Sequence, residues 1–138
     1  MELKEEKDRW ILSLVKGRIN YFHIDYRLTV DLVDEAAKAC LTIETAFRLK
    51  GPNGEVSLTP SAPSSLAPIL PLINTKVTKV VVLKTGRLNV DLEGGLFVEV
   101  EPDGSYEAWQ IGGGDGWMLV CSPGGSVSFF RDTKRSAD

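Results

Sequence analysis

Histidine occurs once in these 138 residues and cysteine twice, and no long stretch carries charge of one sign. Each shortage removes a class of function. A lone histidine, His23, excludes a histidine-rich metal centre, and Cys40 and Cys121 lack the short spacing of a zinc motif. Two cysteines so far apart read as reduced thiols in a cytosolic protein. Lys and Arg number 16 against 19 Asp and Glu. The basic residues near the start (Lys4, Lys7, Arg9) and end (Arg131, Lys134, Arg135) form no block, so nucleic acid is not an expected partner. No apolar run approaches the roughly 20 residues of a spanning helix, and the opening Met1-Glu2-Leu3-Lys4-Glu5-Glu6 has no signal core. Neither membrane insertion nor secretion is expected. The glycine-rich run 112–116 leads into Trp117-Met118-Leu119-Val120, a strand pattern. A phosphate loop would lead into a helix, so the run reads as a wide hairpin turn and no cofactor is expected.

What the chain does have is a repeat. Ile11-Leu12-Ser13-Leu14-Val15-Lys16-Gly17-Arg18-Ile19 returns as Ile69-Leu70-Pro71-Leu72-Ile73-Asn74-Thr75-Lys76-Val77. Arg27–Leu32 returns as Arg87–Leu92, and Ala46-Phe47-Arg48-Leu49 as Ala108-Trp109-Gln110-Ile111, at separations of 58, 60 and 62 residues. A period this long, drifting only at turns, marks a duplicated supersecondary unit. Repeat 1 covers about 4–60 and repeat 2 about 65–131. Units of this size are marginal alone, so both are expected to share one core in a single domain, 1–138, with 132–138 a frayed tail.

Trp10, Ile11, Leu14 and Val15 recur at helical spacing behind acidic Glu5 and Glu6, which predicts an amphipathic helix over 4–16 ended by Lys16-Gly17. Period-two alternation follows at Phe22 and Ile24, at Leu28, Val30 and Leu32, at Leu41, Ile43, Phe47 and Leu49, and at Val56 and Leu58. Asn53-Gly54 predicts a hairpin that sets Leu49 opposite Leu58. After the Ser/Pro-rich connection 60–65, two helical turns are predicted near 65–74, limited by Pro71. Strands follow at 77–83, 88–92, 96–101, 106–111, 117–121 and 127–130. Short connections require antiparallel pairing. The expected fold is mainly β (α+β): two tandem helix-plus-four-strand repeats forming one curved antiparallel sheet or a partly closed barrel, with pseudo-twofold symmetry and the helices covering apolar surface.

The segments Tyr106-Glu107-Ala108-Trp109, Asp115-Gly116 and Val120-Cys121-Ser122-Pro123-Gly124-Gly125 resemble an uncharacterised family of small bacterial proteins, common in actinobacteria. Its members end in a Y-E-A-W…D-G…V-x-x-P-G-G segment and are known only as a domain of unknown function. The similarity runs from Gly17 to Phe130. It implies an intracellular bacterial single-domain protein and transfers no catalytic residue.

Two surfaces are candidates for function. Alternation puts Tyr21, His23 and Asp25 on one polar face, which Asp31 and Glu44 join from neighbouring strands, offering an imidazole among carboxylates for acid/base work or a weak metal site. A solvated sheet face is the plainer reading, since Asp31 recurs as Asp91 while His23 aligns with Val81. Cys121 as a nucleophile would need a base nearby, and the lone histidine lies in the other repeat. The second surface is Trp117 with Leu119: Trp117 aligns with Glu55, which points both outward, to be covered by the Trp10 helix or by another chain. The expected function is a non-enzymatic, cytoplasmic binding or protein-interaction module with a protein partner or a second copy of itself. The alternative is a small hydrolase-like or metal-assisted enzyme using His23.

Overall fold

The computed structural model describes residues 1–132. The expected tail at 132–138 lies, Asp132 apart, outside the described residues. Local pattern is clearest in the longest strand, β2 (Arg9–Ile24), where Trp10, Leu12 and Leu14 are buried and Val15 is 59% exposed. That is a period of two. β1 (Glu2–Glu5) pairs with the first half of β2, Leu3 opposite Leu12. These two strands replace the helix expected over 4–16. Trp10, Ile11, Leu14 and Val15 do satisfy helical spacing, but that face has no place for Leu12, which the strand buries together with Trp10 and Leu14. Lys16-Gly17 is a bulge rather than a helix stop: Lys16 has φ 56°, and the β2–β7 register shifts between Ser13 and Gly17.

The chain continues as β3 (Leu28–Val33), β4 (Lys38–Ile43), β5 (Phe47–Gly51) and β6 (Gly54–Leu58), then through a 3-10 helix (Pro63–Leu72) into β7 (Lys76–Leu83) and β8 (Leu88–Leu92). β9 (Phe97–Val100), β10 (Trp109–Gly113), β11 (Trp117–Cys121) and β12 (Val127–Arg131) complete it. All twelve strands pair antiparallel in one unclosed sheet, ordered β12-β11-β10-β4-β3-β2-β7-β8-β9-β5-β6, with β1 beside β2 alone. The β5–β6 hairpin does not fold back on β4. β5 pairs with β9 instead, and β4 takes β10. The turns expected near 65–74 form as a 3-10 helix, since Pro68 and Pro71 supply no N–H and the buried Leu66, Ile69 and Leu72 recur every third residue.

Both long hairpins correct the expected registers. Pro52-Asn53 are the loop residues and Gly51 pairs with Gly54, so Leu49 faces Val56 and Leu58 faces Phe47. In the second hairpin Gly112 pairs with Met118, leaving a loop one residue longer. That extra residue turns the strand over. Trp117 and Leu119, expected to point outward, are buried in the core and Met118 is exposed instead. A Cβ on Gly113 would collide with the Trp117 indole, so the glycine gives that ring its seat. Trp10 is buried as well. None of these three offers surface to a partner. The strand expected at 106–111 begins only at Trp109.

The core lies on the sheet's inner face, where Leu12, Leu28, Leu41, Leu88 and Trp109 belong to one buried cluster with Leu66, Ile69 and Leu72 of the 3-10 helix. One polar anchor fixes its rim. Asp34 accepts backbone N–H bonds from Ala36 (3.0 Å), Ala37 (2.9 Å) and Val15 (3.2 Å), and its Oδ2 lies 2.8 Å from the Met1 α-amine. Burial pushes this carboxyl's pKa up, but the amine and the three N–H groups outweigh it and hold it at about 2. A depressed carboxyl stabilises the fold fully above its unfolded value near 3.9, and the gain is lost as pH falls through the folded value. Asp34→Ala is expected to cost about 1–3 kcal/mol at neutral pH. It should also flatten the decline in stability between about pH 4 and about pH 2, which urea titrations across that range will read.

Candidate functional site

Outward-facing residues of β2, β3, β4 and β10 line up in two rows. Tyr21 faces Asp31, Asp31 faces Cys40 and Cys40 faces Gly112; in the next row His23, Thr29, Thr42 and Gln110 succeed one another. Because Gly112 brings no side chain opposite Cys40, a groove of about 280 Å³ stays open beside Asp31, Cys40, Tyr21 and Lys38. Asp31 is buried at its base and accepts a 3.0 Å bond from Asn20 Nδ2. Asn20 Oδ1 in turn accepts from Arg18 Nη1 at 2.9 Å. This relay orients the carboxylate. Partial desolvation, reinforced by the Asp31 charge, pushes the exposed Cys40 thiol above its ordinary pKa, which keeps it protonated and a weak nucleophile.

The five polar residues singled out from the sequence fall in three places. Tyr21 and Asp31 share the groove. His23 and Asp25 lie at the β2–β3 end, Nε2 to Oδ2 3.6 Å, with the imidazole largely exposed. Asp25 is already held by the Arg27 fork at 2.9 and 3.3 Å, and this pairing keeps its pKa below the usual carboxylate range. Glu44 lines a separate recess of about 410 Å³ with Tyr106, Glu107 and Pro123. Among the described residues the imidazole therefore has one carboxylate within ion-pair reach, and an arginine holds that one. Among the described residues no three His, Cys, Asp or Glu side chains are placed to bind a metal ion, and no helix is long and apolar enough to cross a membrane.

The C-terminal segment gathers at a different place. Trp109 is fully buried, and its Nε1 donates to the Gly86 carbonyl at 2.8 Å, where the Cys121 thiol also lies at 3.7 Å. Gly124 N–H donates to the Asp103 carbonyl at 2.8 Å, and a Cβ on Gly125 would come within 2.5 Å of the Thr85 carbonyl. The β11–β12 turn thus packs on the β7–β8 turn. Burial raises the Cys121 thiol pKa, and both cysteines are free.

A family described as a family of unknown function, DUF6188, matches residues 10–131. The chain belongs to that family. No curated protein and no solved structure matches it. In this DUF6188 chain the matched span runs from Trp10 in β2 to Arg131 at the end of β12, so it takes in every strand but β1.

Sequence reasoning missed two surfaces. One is a cavity beside the β2 bulge lined by Lys16, Arg18 and Lys76; the repeat had aligned Arg18 with Lys76, but only strand pairing brings them together. The other is the outer edge of β12, where Phe129 and Phe130 are exposed. Two adjacent aromatics in an alternating strand were the available signal.

Proposed function

We propose that this DUF6188 chain is a non-enzymatic interaction module that works through the β12 edge, where it pairs with a second copy of itself. The observation that carries this reading is an apolar terminal strand: β12 ends the sheet with Phe129 and Phe130 exposed. Ser126 C=O and Asp132 N–H bond toward β11. Alternation then aims the backbone groups of Val127, Phe129 and Arg131 at the open side. Such edges are normally guarded by charge. The opposite edge, β6, has that guard in Glu55, which pairs with Arg48 at 3.7 Å, whereas β12 carries only Arg131. An antiparallel pairing of β12 with its copy about Phe129 sets Phe129 against Phe129, Val127 against Arg131 and Ser128 against Phe130. No like charges oppose one another, and the aromatic pair stabilises the contact.

Light scattering is expected to show a dimer that Phe129→Lys converts to a folded monomer. Phe129→Pro should act likewise, since it removes only an outward N–H from an edge strand. A wild-type monomer at high protein concentration, or a dimer surviving both substitutions, would refute the proposal.

We also infer that the chain is an internal duplication with exchanged hairpins. The β2–β3 register shifts between Ile19 and Tyr21 and the β7–β8 register between Val77 and Lys79, at positions the sequence repeat aligns. Two free thiols support a reducing, cytoplasmic setting.

A further inference from the structure

Asp31 and Asp91 occupy matching places in two strand pairs, and only one of them has a cation beside it. Asp91 of β8 lies directly across from Lys79 of β7, with Nζ 4.0 Å from Oδ2, and its side chain is 36% exposed. Asp31 of β3 faces Tyr21 where its counterpart faces Lys79, and Cys40 of β4 flanks it on the other side. It is only 7% exposed, yet it makes no ion pair among the described residues. A carboxylate so far withdrawn from water is costly unless a positive group meets it. The Asn20 amide engages Oδ2 alone, at 3.0 Å, and Arg18 reaches the carboxylate only through that amide. Oδ1 accepts no protein hydrogen bond among the described residues.

Among the described residues Asn89 Oδ1 is the one fully enclosed side-chain acceptor without a partner. Asp31 Oδ1 therefore keeps an opening, and the space beside it is the groove of about 280 Å³. The polar side chains of that groove all stand on the outer face of the sheet. Tyr21, Asp31 and Cys40 form one cross-strand row, and Lys38 lies two residues along β4 from Cys40. Lys38 is exposed and likewise makes no ion pair among the described residues. Asp31 and Lys38 lie on a cross-strand diagonal of about 7–8 Å, which one small molecule can bridge. Gly112, opposite Cys40, leaves the middle clear. The volume falls just below the roughly 300–1,000 Å³ of drug-sized ligand sites and suits something smaller.

We propose that this groove binds a free α-amino acid with an apolar side chain. The α-ammonium donates to Asp31 Oδ1, the α-carboxylate accepts from Lys38, and the side chain lies along Tyr21 over Gly112. A simple cation would bring a second positive charge up to Lys38, and a simple anion would face the buried Asp31. A zwitterion complements both. Its ammonium supplies to Asp31 what Lys79 supplies to Asp91, and the Arg18–Asn20 relay holds the carboxylate in position to receive it.

Calorimetric titration with L-phenylalanine tests this. Saturable binding is expected, with phenethylamine and 3-phenylpropionate, which each lack one of the charged groups, at least about tenfold weaker. Asp31→Asn keeps an acceptor for Asn20 but removes the charge, and should weaken L-phenylalanine at least about tenfold. Lys38→Gln, at an exposed position, should do the same. Gly112→Val fills the groove instead. A Cβ there makes only ordinary contacts, 3.4 Å from the Trp117 carbonyl and 3.7 Å from Met118 Cε, and a β-branched residue favours a strand. This variant should therefore stay folded, with a thermal midpoint no lower than wild type, while binding is lost. The proposal fails if L-phenylalanine does not saturate, if either analogue binds as tightly as the amino acid, or if any of the three variants keeps wild-type affinity.

Discussion

Replacing Trp109 by alanine is expected to lower the unfolding free energy by about 3–5 kcal/mol, seen as a large drop in the urea midpoint. The indole is fully buried at the start of β10, directly opposite Ile43. It also closes a polar account that a smaller ring cannot: its Nε1 is 2.8 Å from the Gly86 carbonyl, in a turn 23 residues away in sequence. Trp109→Phe separates the two contributions. It keeps most of the packing but leaves that buried acceptor short of its donor, at a cost of about 1–3 kcal/mol. Phe47, the first residue of β5, is buried to a similar degree. Phe47→Ala should therefore show a comparable packing loss with no polar component. Midpoints of both alanine variants close to wild type would overturn these core assignments.

Gly125→Ala is expected to be nearly as damaging, although it adds one methyl group. Gly125 has φ 105°, and a Cβ there would come within 2.5 Å of the Thr85 carbonyl, a backbone atom with no rotamer to escape through. Left-handed strain costs about 1–3 kcal/mol, and overpacking adds a similar amount. Gly124, one residue earlier with φ 88°, has open space around its would-be Cβ. Gly124→Ala should thus show the strain alone. Chemical denaturation of the pair reads the steric component as a difference, and equal midpoints would mean that the two turns do not touch.

These residues also show what the sequence made legible. Alternation in Leu28, Val30 and Leu32, and in Leu88, Val90 and Leu92, placed β3 and β8 within a residue of their limits, because one face of each is buried along its whole length. The same rule failed at the N-terminus, where Trp10, Ile11, Leu14 and Val15 fit a helix and Leu12 alone argued otherwise. It failed again at Trp117 because side-chain direction depends on turn length, and one more glycine-rich loop residue reverses the face. Of the candidate site, Tyr21 and Asp31 were legible as neighbours on one face, since they belong to adjacent strands joined by a short turn. Arg18 and Lys76 were not. They lie far apart in sequence, and no local pattern says that β2 chooses β7 as its other neighbour.

The long-range pairing of β4 and β5 has a consequence for synthesis on the ribosome. β5 finds its neighbour in β9, and β4 finds its second neighbour in β10. An N-terminal stretch ending near residue 60 would hold β4 and β5 with one flank bare on each, whatever the quality of its own sequence. Non-local pairing of this kind is slow and leaves strand edges exposed while the chain waits. The nascent sheet can complete these pairings only after β10 has left the exit tunnel. Until then, the bare flanks of a vectorially emerging chain stay open to wrong pairing.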